Sequence, residues 1–533
     1  MNTFRKYSSK FISILFAIVM VVVLLSVIFV NGSYFSMNNS NLFLSICIGV
    51  AFALGAFLLY RKLFRKTSEI SRKWEIIIVV SAIVIFLILG IVVIFTLRVK
   101  PGWDFGQIYN AALNLANHGD FGEAYTYISN FPFQLFLVGM FSIVIKLTSG
   151  ILPASGALMC LNLLFILMTI GLFYLIMRKM FDVKKAIFSL FMFIVFSPII
   201  LYTPIFYSDT ISMFFVMLCF YLALFLCDEA ITIRKRIILS LLFGLSLLCG
   251  FEIKATVLIL AIAVLLFVLF VKKKVSIKNA AISIVCVATV FLPLSYLIST
   301  KSQQLTNRDM EIPKTHWVMM GLRNYGGFNV EDYSEITFKA LDEGRQQELK
   351  DIHIEEIKNR LGNYGVFGYL NFLTKKLSYT WGDGTYYVSD KLSREPSNPD
   401  SWIYKFVAKD GEYFQVYSTF MNGMQFMLLL VICIGALLTV KDRSEFAIIK
   451  LAIMGVIIFF LLWEARSRYL INYLPLLFVL FVYSLDNISI CVQRFSQSRS
   501  EGELCSQHKS SQYTRRLGRA KPSAARPKSK SNK

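Results

Sequence analysis

Apolar residues along the chain are gathered into runs of roughly 20 positions, separated by short polar segments. An α-helix rises about 1.5 Å per residue, so such a run is long enough to cross the hydrocarbon core of a bilayer. The pattern predicts twelve membrane-spanning helices, at 11–30, 42–60, 75–97, 157–177, 186–203, 210–227, 236–250, 255–271, 279–298, 423–440, 446–463 and 469–487. We therefore expect an all-α polytopic membrane protein.

A thirteenth apolar run, 131–149, is ambiguous, and the positions of the basic residues decide its interpretation. Cytoplasmic loops of membrane proteins are enriched in Lys and Arg. Three loops are strongly basic: 61–73, 178–185 and 272–278. They fall on one side of the membrane only if 131–149 does not cross it. The run starts near Pro132 and carries Lys146 near its end, so it is predicted to lie flat or to re-enter from the outer face.

Twelve spans place both termini in the cytoplasm, and the chain is expected in the cell membrane as a multi-pass protein. The expected organisation has five parts: two additional spans with a basic cytoplasmic loop, a membrane core with a first outer loop at 98–156, an extracytoplasmic region, the C-terminal spans and a basic tail. Their bounds are 1–74, 75–298, 299–422, 423–490 and 491–533.

The two large polar segments differ in character. The outer segment 299–422 is close to charge balance and rich in Tyr, Gly and Trp, and its apolar spacing predicts a helix over about 339–361. It is too long for a linker, so we expect a small folded region of mixed secondary structure. The tail 491–533 is basic and Ser-rich, so it is expected to be disordered and attracted to anionic lipid, or solvated without a specific partner.

Composition agrees with this class and excludes others. Of the 533 residues, 56% are hydrophobic and only 17% are charged, a bias that a soluble core does not need. The net charge of +22 lies mostly in short loops and the tail, as orientation signals do, so no nucleic-acid partner is predicted. Most of the nine cysteines lie inside apolar runs and are expected to be small buried residues.

Familiar catalytic motifs are missing from the sequence. The four histidines are scattered, and no nucleophile elbow, Walker loop or dinucleotide fingerprint occurs. The span interiors are almost free of charge, which disfavours an ion-coupled transporter. Charged and aromatic residues instead gather where spans reach the outer face, which predicts a cleft open to both lipid and water. No cofactor is predicted with certainty, and a divalent cation in this cleft is left open.

Two acidic residues mark points where the chain meets the outer surface, and both are candidate catalytic groups. Asp104 stands in "VKPGWDFGQIYN", directly after the third span, and Asp209 stands in "PIFYSDTISMFF" before the sixth. Each could instead be a helix N-cap, Asp104 as a capping box with Gln107. A capping carboxylate can still face a cleft, so the two interpretations are compatible.

Three cations lie at the same level, namely Lys254, Arg466 and Arg468. Positive charge on the outer side runs against the orientation bias, and a phosphate at the membrane surface would explain it, because Arg grips phosphate with two parallel hydrogen bonds. The alternatives are a pair between Lys254 and Glu252, and snorkelling of the two arginines or their pairing with Glu464.

Polar residues of the outer segment are candidates for sugar binding. "HWVMMGLRNYGGFN" contains His316 and Arg323, and "WGDGTYY" contains Asp383. Aromatic faces beside such groups suit sugar rings, whose C–H faces stack and whose hydroxyls need hydrogen bonds. The same residues could instead be the packing residues of a small domain.

The order of these features resembles the GT-C superfamily of polytopic glycosyltransferases, which includes the protein O-mannosyltransferase and RgtA-like groups. "KPGWDFGQIYNAA", "YSDTISMFF" and "HWVMMGLRNYGGFN" together are similar to the Gram-positive branch of exosortase-associated glycosyltransferases. The resemblance covers about 75–490, so the first two spans and the basic tail lie outside it. Some members carry two adjacent acids in the first loop; here Asp104 is followed by Phe105, with Asp120 and Glu123 further on.

The resemblance implies transfer of a sugar from a polyprenyl-phosphate carrier to an unidentified extracytoplasmic acceptor, with inversion at the anomeric carbon. Asp104 would be the general base, Arg466, Arg468 and Lys254 would hold the phosphate, and Asp209 would orient the site or bind a divalent ion. Two other functions stay open. One is a polymerase or ligase that uses lipid-linked oligosaccharides on the outer face, and the other is a flippase or transporter of lipid-linked sugars.

Overall fold

The computed structural model of the chain describes residues 2–30, 41–64, 69–272, 276–438 and 443–517, with the side chains of those between 7 and 497. The first helices in chain order are α1 (Asn2–Phe29), α2 (Leu42–Phe64), α3 (Arg72–Thr96), α4 (Trp103–Asn117), α5 (Tyr125–Asn130), α6 (Leu135–Thr148), α7 (Ala154–Met180), α8 (Val183–Ile194), α9 (Pro198–Leu201) and α10 (Ser208–Leu226). The remaining helices are α11 (Ile233–Ile253), α12 (Leu258–Phe270), α13 (Ile277–Leu305), α14 (Thr315–Met320), α15 (Lys339–Asp342), α16 (Leu349–Trp381), α17 (Val388–Leu392), α18 (Trp402–Val407), α19 (Phe414–Leu437), α20 (Phe446–Leu462) and α21 (Leu474–Leu517).

Long apolar helices dominate the described part of the chain. Nine of them are long and apolar enough to cross a membrane: α1, α2, α3, α7, α10, α11, α13, α19 and the first part of α21 with the 3₁₀ turns before it. Helices α10, α19 and α21 are the most buried, whereas α13 lies at the periphery and packs mainly on α11. The all-helical, polytopic class predicted from the hydrophobic pattern is confirmed.

Each of the twelve predicted spans contains a helix, but in three of them no single helix is long enough to cross a membrane. The run 446–463 holds only α20, and the run 255–271 holds α12 behind a single 3₁₀ turn. The run 186–203 is divided into α8 and α9, with Pro198 at the first position of α9. Proline has no backbone N–H, so the hydrogen-bond ladder of α8 cannot continue through Pro198, and apolar composition alone overestimates the length of that helix.

The ambiguous run 131–149 lies in a bent pair of helices. Helical residues 122–130 meet helical residues 132–148 at an angle of 112°, and Phe131 between them has the non-helical angles φ −128° and ψ 60°. Pro132 follows directly and explains why the helix stops there. A bend of this size fits either a broken span or a re-entrant loop, so the predicted surface or re-entrant placement stays a prediction.

The region 299–422 is helical rather than mixed, which corrects the sequence-based expectation. Its described residues contain helices α14 to α18, and their single bridge of strand type joins Pro396 to Val99 of the first loop. The helix predicted over 339–361 is interrupted at Gly344, whose φ is +72°, and then continues in α16 to Trp381. The turn in "WGDGTYY" is held by side-chain hydrogen bonds rather than by pairing with a strand.

The beginning of the C-terminal tail is also more ordered than the sequence suggested. Helix α21 runs on to Leu517, although disorder was expected from residue 491. Extension of a helix that already exists costs far less than starting a new one, which accounts for the difference. Residues 518–533 of the tail lie outside the described residues.

The helix bundle has two chemically different ends. At one end basic side chains are fixed by ion pairs: Arg178 to Glu75 at 3.0 Å, and Lys185 to Asp486 at 2.8 Å. We call this the basic end. At the other end, which we call the site end, Arg98 after α3 donates to Ser155 at the start of α7 over 2.7 Å. By the positive-inside bias the basic end is expected in the cytoplasm.

Candidate functional site

Five segments meet at the site end. They are the start of α4, the start of α10, the end of α11, the loop 382–397 around α17, and the turns 463–473 that lead into α21. Each segment contributes a charged or tyrosine side chain to one place, and the hydrogen bonds between segments explain why.

The first outer loop is joined directly to the loop 382–397. The backbone N–H of Lys100 donates to the carbonyl of Glu395 over 3.0 Å, and the N–H of Ser397 donates to the carbonyl of Arg98 over 2.8 Å. Each of these two bonds joins residues that lie about 300 positions apart in the sequence. Together they place the start of α4 beside α17. Asp104 in the first turn of α4 is thereby brought close to Lys391.

Asp104 does not cap its helix. The N-cap position is held by Gly102, and Asp104 follows in the first turn without a capping hydrogen bond. Its side chain is exposed, and within the described residues it has neither a hydrogen bond nor an ion pair. Its charge acts on Tyr127, Tyr207 and Lys391. The carboxylate is therefore an unoccupied hydrogen-bond acceptor at the edge of a group of cations and phenols.

Asp209 is paired rather than free. Its carboxylate is 2% exposed and accepts a hydrogen bond from the ammonium group of Lys254. The backbone N-cap of α10 is Tyr207, so Asp209 does not cap α10 by its side chain. Glu252, the partner considered for Lys254, instead accepts from Ser295 at 3.3 Å. This buried ion pair ties the start of α10 to the end of α11.

Two further cations lie against the ring of Tyr207. The guanidinium of Arg468 and the ammonium of Lys391 are each 5.5 Å from its centroid, a distance at which the ring's π electrons attract a cation. Arg468 is 9% exposed and donates to Tyr469 Oη over 3.2 Å, while its Nε is buried without a hydrogen bond in the described structure. Both cations therefore keep donors for a ligand.

Lys391 is the most unusual member of the group. It is 8% exposed and, within the described residues, its ammonium has no hydrogen bond or ion pair beyond the contact with Tyr207. Burial lowers its pKa well below the ordinary value, nearby Arg468 and Arg394 lower it further, and Asp104 and Asp209 oppose them. A buried ammonium group in this situation is stabilised by an anion.

Arg394 and Arg466 complete what we call the cationic cluster: Lys254, Lys391, Arg394, Arg466 and Arg468. Arg394 lies 5.0 Å from the ring of exposed Trp103 and reaches Tyr387 Oη at 3.4 Å. Arg466 lies 4.7 Å from the ring of Tyr387 and forms a long ion pair with Glu464 at 3.9 Å. The pairing with Glu464 considered for the arginines thus exists for Arg466.

Asp383 stabilises the two backbone segments that carry the cationic cluster. Its carboxylate accepts from Thr385, through both N–H and hydroxyl at 2.9 and 2.6 Å, from the N–H of Tyr387 at 3.1 Å, and from Ser467 Oγ at 2.6 Å. These bonds fasten the loop 382–387 to the turn that carries Arg466 and Arg468. In this structure Asp383 therefore positions the cations, and its acceptor capacity is used within the protein.

The same loop has a strained backbone. Tyr386 and Tyr387 have φ of 52° and 62°, in the left-handed region that tyrosine rarely adopts. Tyr386 is fully buried, and its hydroxyl donates to Gln425 over 2.9 Å while its carbonyl accepts from Tyr202 over 2.6 Å. Strain of this kind persists where surrounding contacts enforce it, and it is common at functional sites.

Replacing Gly384 with Ala is expected to destabilise this loop. A Cβ at Gly384 would lie 2.0 Å from the carbonyl oxygen of Met421, which is backbone of α19 and cannot move aside. Overpacking of this kind costs about 1–3 kcal/mol, which a lower unfolding temperature in detergent would report. Gly139→Ala in α6, where a Cβ meets nothing within 4 Å, is the matched control. Equal unfolding temperatures for the two variants would contradict this account.

Two of the predicted sugar-binding residues lie in a separate network. His316 is 1% exposed and is hydrogen-bonded to Thr337 at 2.7 Å, and Thr337 is hydrogen-bonded to His353 at 3.0 Å. Burial lowers the pKa of His316 to about 3, with a contribution from His353, so both rings are expected to be neutral at physiological pH. The geometry favours the alternative that His316 is a packing residue.

Arg323 is engaged in the same region by acidic partners. It pairs with Glu331, and with buried Asp332 at 2.9 Å. Arg360 of α16 also holds Asp332, through two hydrogen bonds of 2.7 and 2.8 Å. These ion pairs join helix α16 to the chain after α14. The structure brings Asp104, Asp209, Lys254, Arg466 and Arg468 together, and it places His316 and Arg323 outside the group.

A buried asparagine fixes the segment before α10. Asn162 in α7 is completely buried, and its amide donates to the carbonyls of Tyr202, Thr203 and Ile205 at 2.8 to 3.1 Å. Its carbonyl accepts from Thr210 at 2.5 Å. These bonds from one side chain hold the segment that carries Tyr207 and Asp209. In the sequence, the only indication of this role is that Asn162 is a polar residue inside an apolar run.

Residues that sequence reasoning missed are Lys391, Arg394 and Tyr207. Tyr207 stands two positions before Asp209 in the motif "YSDTISMFF", whereas Lys391 and Arg394 occur in unremarkable contexts and only the fold brings them to the acids. Concerning the divalent cation left open above, the described residues contain no group of three or more His, Cys, Asp or Glu side chains that could hold a metal ion.

The sequence model of a family described as "conserved hypothetical integral membrane protein" matches residues 4–489. That range includes every segment of the site, whereas the basic tail lies outside it. The comparisons with curated proteins and with solved structures found no match.

Proposed function

We propose that this chain, which belongs to the family of conserved hypothetical integral membrane proteins, is a membrane glycosyltransferase of the GT-C type. It would transfer a sugar from a polyprenyl-phosphate carrier to an acceptor on the outer face of the membrane. The resemblance in sequence suggested this function, and the geometry of the site supports it.

One observation carries the proposal: a free carboxylate stands beside buried cations that lack anionic partners. Within the described residues, Asp104 has no partner, the side chain of buried Lys391 makes no hydrogen bond or ion pair, and Arg468 keeps its buried Nε unused. The group lies at the start of α10 and the end of α11. A phosphate on an isoprenoid tail fits there, since its charge meets the cationic cluster and its tail lies along apolar helices.

The chemistry follows from the positions of the charges. An acceptor hydroxyl that attacks the anomeric carbon must lose its proton, and Asp104 can accept it. The leaving group is a lipid phosphate that gains negative charge, and Arg468, Lys391 and Arg394 would stabilise that charge in the transition state. Asp209 would orient the site through Lys254 rather than take part in proton transfer.

A transfer assay with two kinds of donor tests the proposal. Purified protein in lipid nanodiscs would receive a prenyl-phosphate monosaccharide or a prenyl-diphosphate oligosaccharide, together with cell-envelope extract as acceptor. We expect prenyl phosphate to be released and sugar to be incorporated from the first donor. Use of the second donor alone would indicate a polymerase or ligase. Movement of donor across vesicles without bond cleavage would indicate a flippase, and both results would contradict the proposal.

Replacing Arg468 with Lys is expected to lower kcat/KM by a factor on the order of 10². Lysine keeps the charge but loses the planar pair of donors that matches a phosphate, and loss of one such donor has about this effect. Arg345→Lys, at an exposed guanidinium that pairs with Glu343 at 2.9 Å, is the control and should leave kcat/KM unchanged. A fully active Arg468→Lys enzyme would exclude bidentate phosphate binding at this position.

A further inference from the structure

We propose that the segment 317–326 and buried Lys376 position the phosphate-binding arginines of residues 463–468, which we call the arginine turn. The inference rests on the proposed function, because it gives a role within that site to the motif "HWVMMGLRNYGGFN", whose His316 and Arg323 lie outside the site. The segment and the lysine act through the backbone of the arginine turn, so they are positioning residues and do not touch the carrier themselves.

The arginine turn has no helix of its own to hold it. Helix α20 ends at Leu462, and Arg466 has the extended angles φ −147° and ψ 155°. The Nε atoms of Arg466 and Arg468 are both buried without a hydrogen bond in the described structure. Buried polar groups are normally hydrogen-bonded, so these unused donors indicate a ligand. The backbone of the turn decides whether both guanidinium groups reach that ligand.

The segment 317–326 supplies hydrogen bonds that a helix would otherwise provide. The N–H of Glu464 donates to the carbonyl of Trp317 over 3.0 Å, and the N–H of Ala465 donates to the carbonyl of Gly326 over 2.8 Å. The two bonds occupy consecutive amide groups of the arginine turn, directly before its first arginine. The position of that arginine therefore depends on where the segment lies.

Lys376 of α16 joins the same two parts of the chain. It is 1% exposed, and its ammonium group donates to the carbonyls of Gly321 at 2.6 Å and Leu461 at 3.1 Å. Leu461 lies in the last turn of α20, where carbonyl groups lack partners within the helix. One buried side chain thus ties the middle of the segment to the helix end from which the arginine turn starts.

Two glycines allow the segment to approach this closely. A Cβ at Gly321 would lie 2.7 Å from the carbonyl carbon of Trp463 and 2.8 Å from the nitrogen of Glu464, which are backbone atoms of the arginine turn. Gly326 has φ +76°, and a Cβ there would collide with the side chain of Lys376. The φ of Gly321 is −64°, which alanine adopts without strain. Alanine at Gly321 therefore displaces the turn without straining its own backbone.

Replacing Gly321 with Ala tests the role by its effect on phosphate binding. The probe is farnesyl phosphate, titrated into the purified full chain in lipid nanodiscs. We expect its Kd to rise about tenfold, the effect of misaligning one hydrogen bond to a charged group. Farnesol, which lacks the phosphate, should bind variant and wild type equally. Gly362→Ala in α16, where a Cβ meets nothing within 4 Å, is the control. An unchanged Kd for farnesyl phosphate in Gly321→Ala would overturn the inference.

A double-mutant cycle separates positioning of the arginines from a general loss of stability. In an Arg468→Lys background the two-pronged grip is already lost, so Gly321→Ala should change the Kd by no more than about twofold, because coupled sites are not additive. Lys376→Met should show the same coupling, and it carries the test if Gly321→Ala does not fold. Lys358→Met, at an exposed lysine of α16, should bind as wild type. Additive effects in the cycle would show that the segment supports only the fold and would contradict positioning.

The two proposals fail in different ways. Sugar transfer by a wild-type enzyme, together with unchanged farnesyl phosphate binding in Gly321→Ala, would contradict the role of the segment and leave the transferase intact. Coupled effects of Gly321→Ala and Arg468→Lys on binding, in a chain that transfers no sugar, would contradict the transferase. They would support the segment as part of a site that binds prenyl phosphate.

Discussion

Replacing Asp104 with Asn is expected to lower the rate of sugar transfer by a factor of about 10² to 10⁴, the usual contribution of a general base. Asparagine keeps the size of the side chain and cannot accept the proton of the attacking hydroxyl. Asp104 is exposed and makes no hydrogen bond or ion pair in the described structure, so the variant should fold and insert normally. Its unfolding temperature and its affinity for farnesyl phosphate should stay close to wild type, which confines the effect to kcat.

The control for this variant lies in the same loop. Glu123 is also exposed, one of two other acids that could assist, and Glu123→Gln should transfer sugar at the wild-type rate. Asp120 differs, because its carboxylate accepts from the N–H of Gly122 at 3.0 Å and so supports a turn. If Asp104→Asn transferred sugar normally while Glu123→Gln did not, the base would be Glu123 and the assignment made here would be wrong.

The fold class could be predicted from the sequence because membrane spans depend on a property of single residues. An apolar run indicates burial in lipid by its composition alone, whichever helices it packs against. Helix ends were less predictable, as at Pro198 and at Pro132, where local backbone restrictions shorten or bend a helix inside an apolar run. The helical rather than mixed nature of 299–422 was missed since its loops are fixed by side chains such as Asp383.

The candidate site could be predicted only in part, and the reason is physical. Asp104 stands out because it follows a span directly, and Lys254 and Arg468 stand out because positive charge on the outer side runs against the orientation bias. Lys391 lies among other charged residues of a polar segment, so nothing in its sequence context indicates that it is buried. Its role depends on the backbone hydrogen bond between Lys100 and Glu395. The periodicity of apolar residues does not predict such a long-range contact.

The predicted site residues that lie outside the site show the same limit of prediction from sequence. His316 and Arg323 belong to residue types that bind sugars, and their motif was part of the resemblance. Their partners, Thr337 for the ring and Asp332 for the guanidinium, are nonetheless internal. Residue type identifies what a side chain can bind, whereas the fold decides whether its donors and acceptors are already used.

Replacing Asp209 with Asn is expected to destabilise the protein strongly. Asp209 is 2% exposed and its only ion-pair partner among the described residues is Lys254, whose side chain is 13% exposed. Removal of one member of a buried pair leaves an uncompensated charge and costs about 3–5 kcal/mol. We expect a clearly lower unfolding temperature in detergent, together with loss of sugar transfer as the start of α10 and Tyr207 move.

A double variant separates a structural role of Asp209 from a catalytic one. In Asp209→Asn with Lys254→Met no charge is left buried, so the unfolding temperature should return most of the way to wild type. If Asp209 only orients the site, sugar transfer should return in part with the fold, because Asp104, Arg468 and Lys391 are unchanged. A double variant that is as stable as wild type and transfers no sugar would make Asp209 or Lys254 a direct participant in the reaction. A single variant as stable as wild type would show that the pair is not needed for the fold.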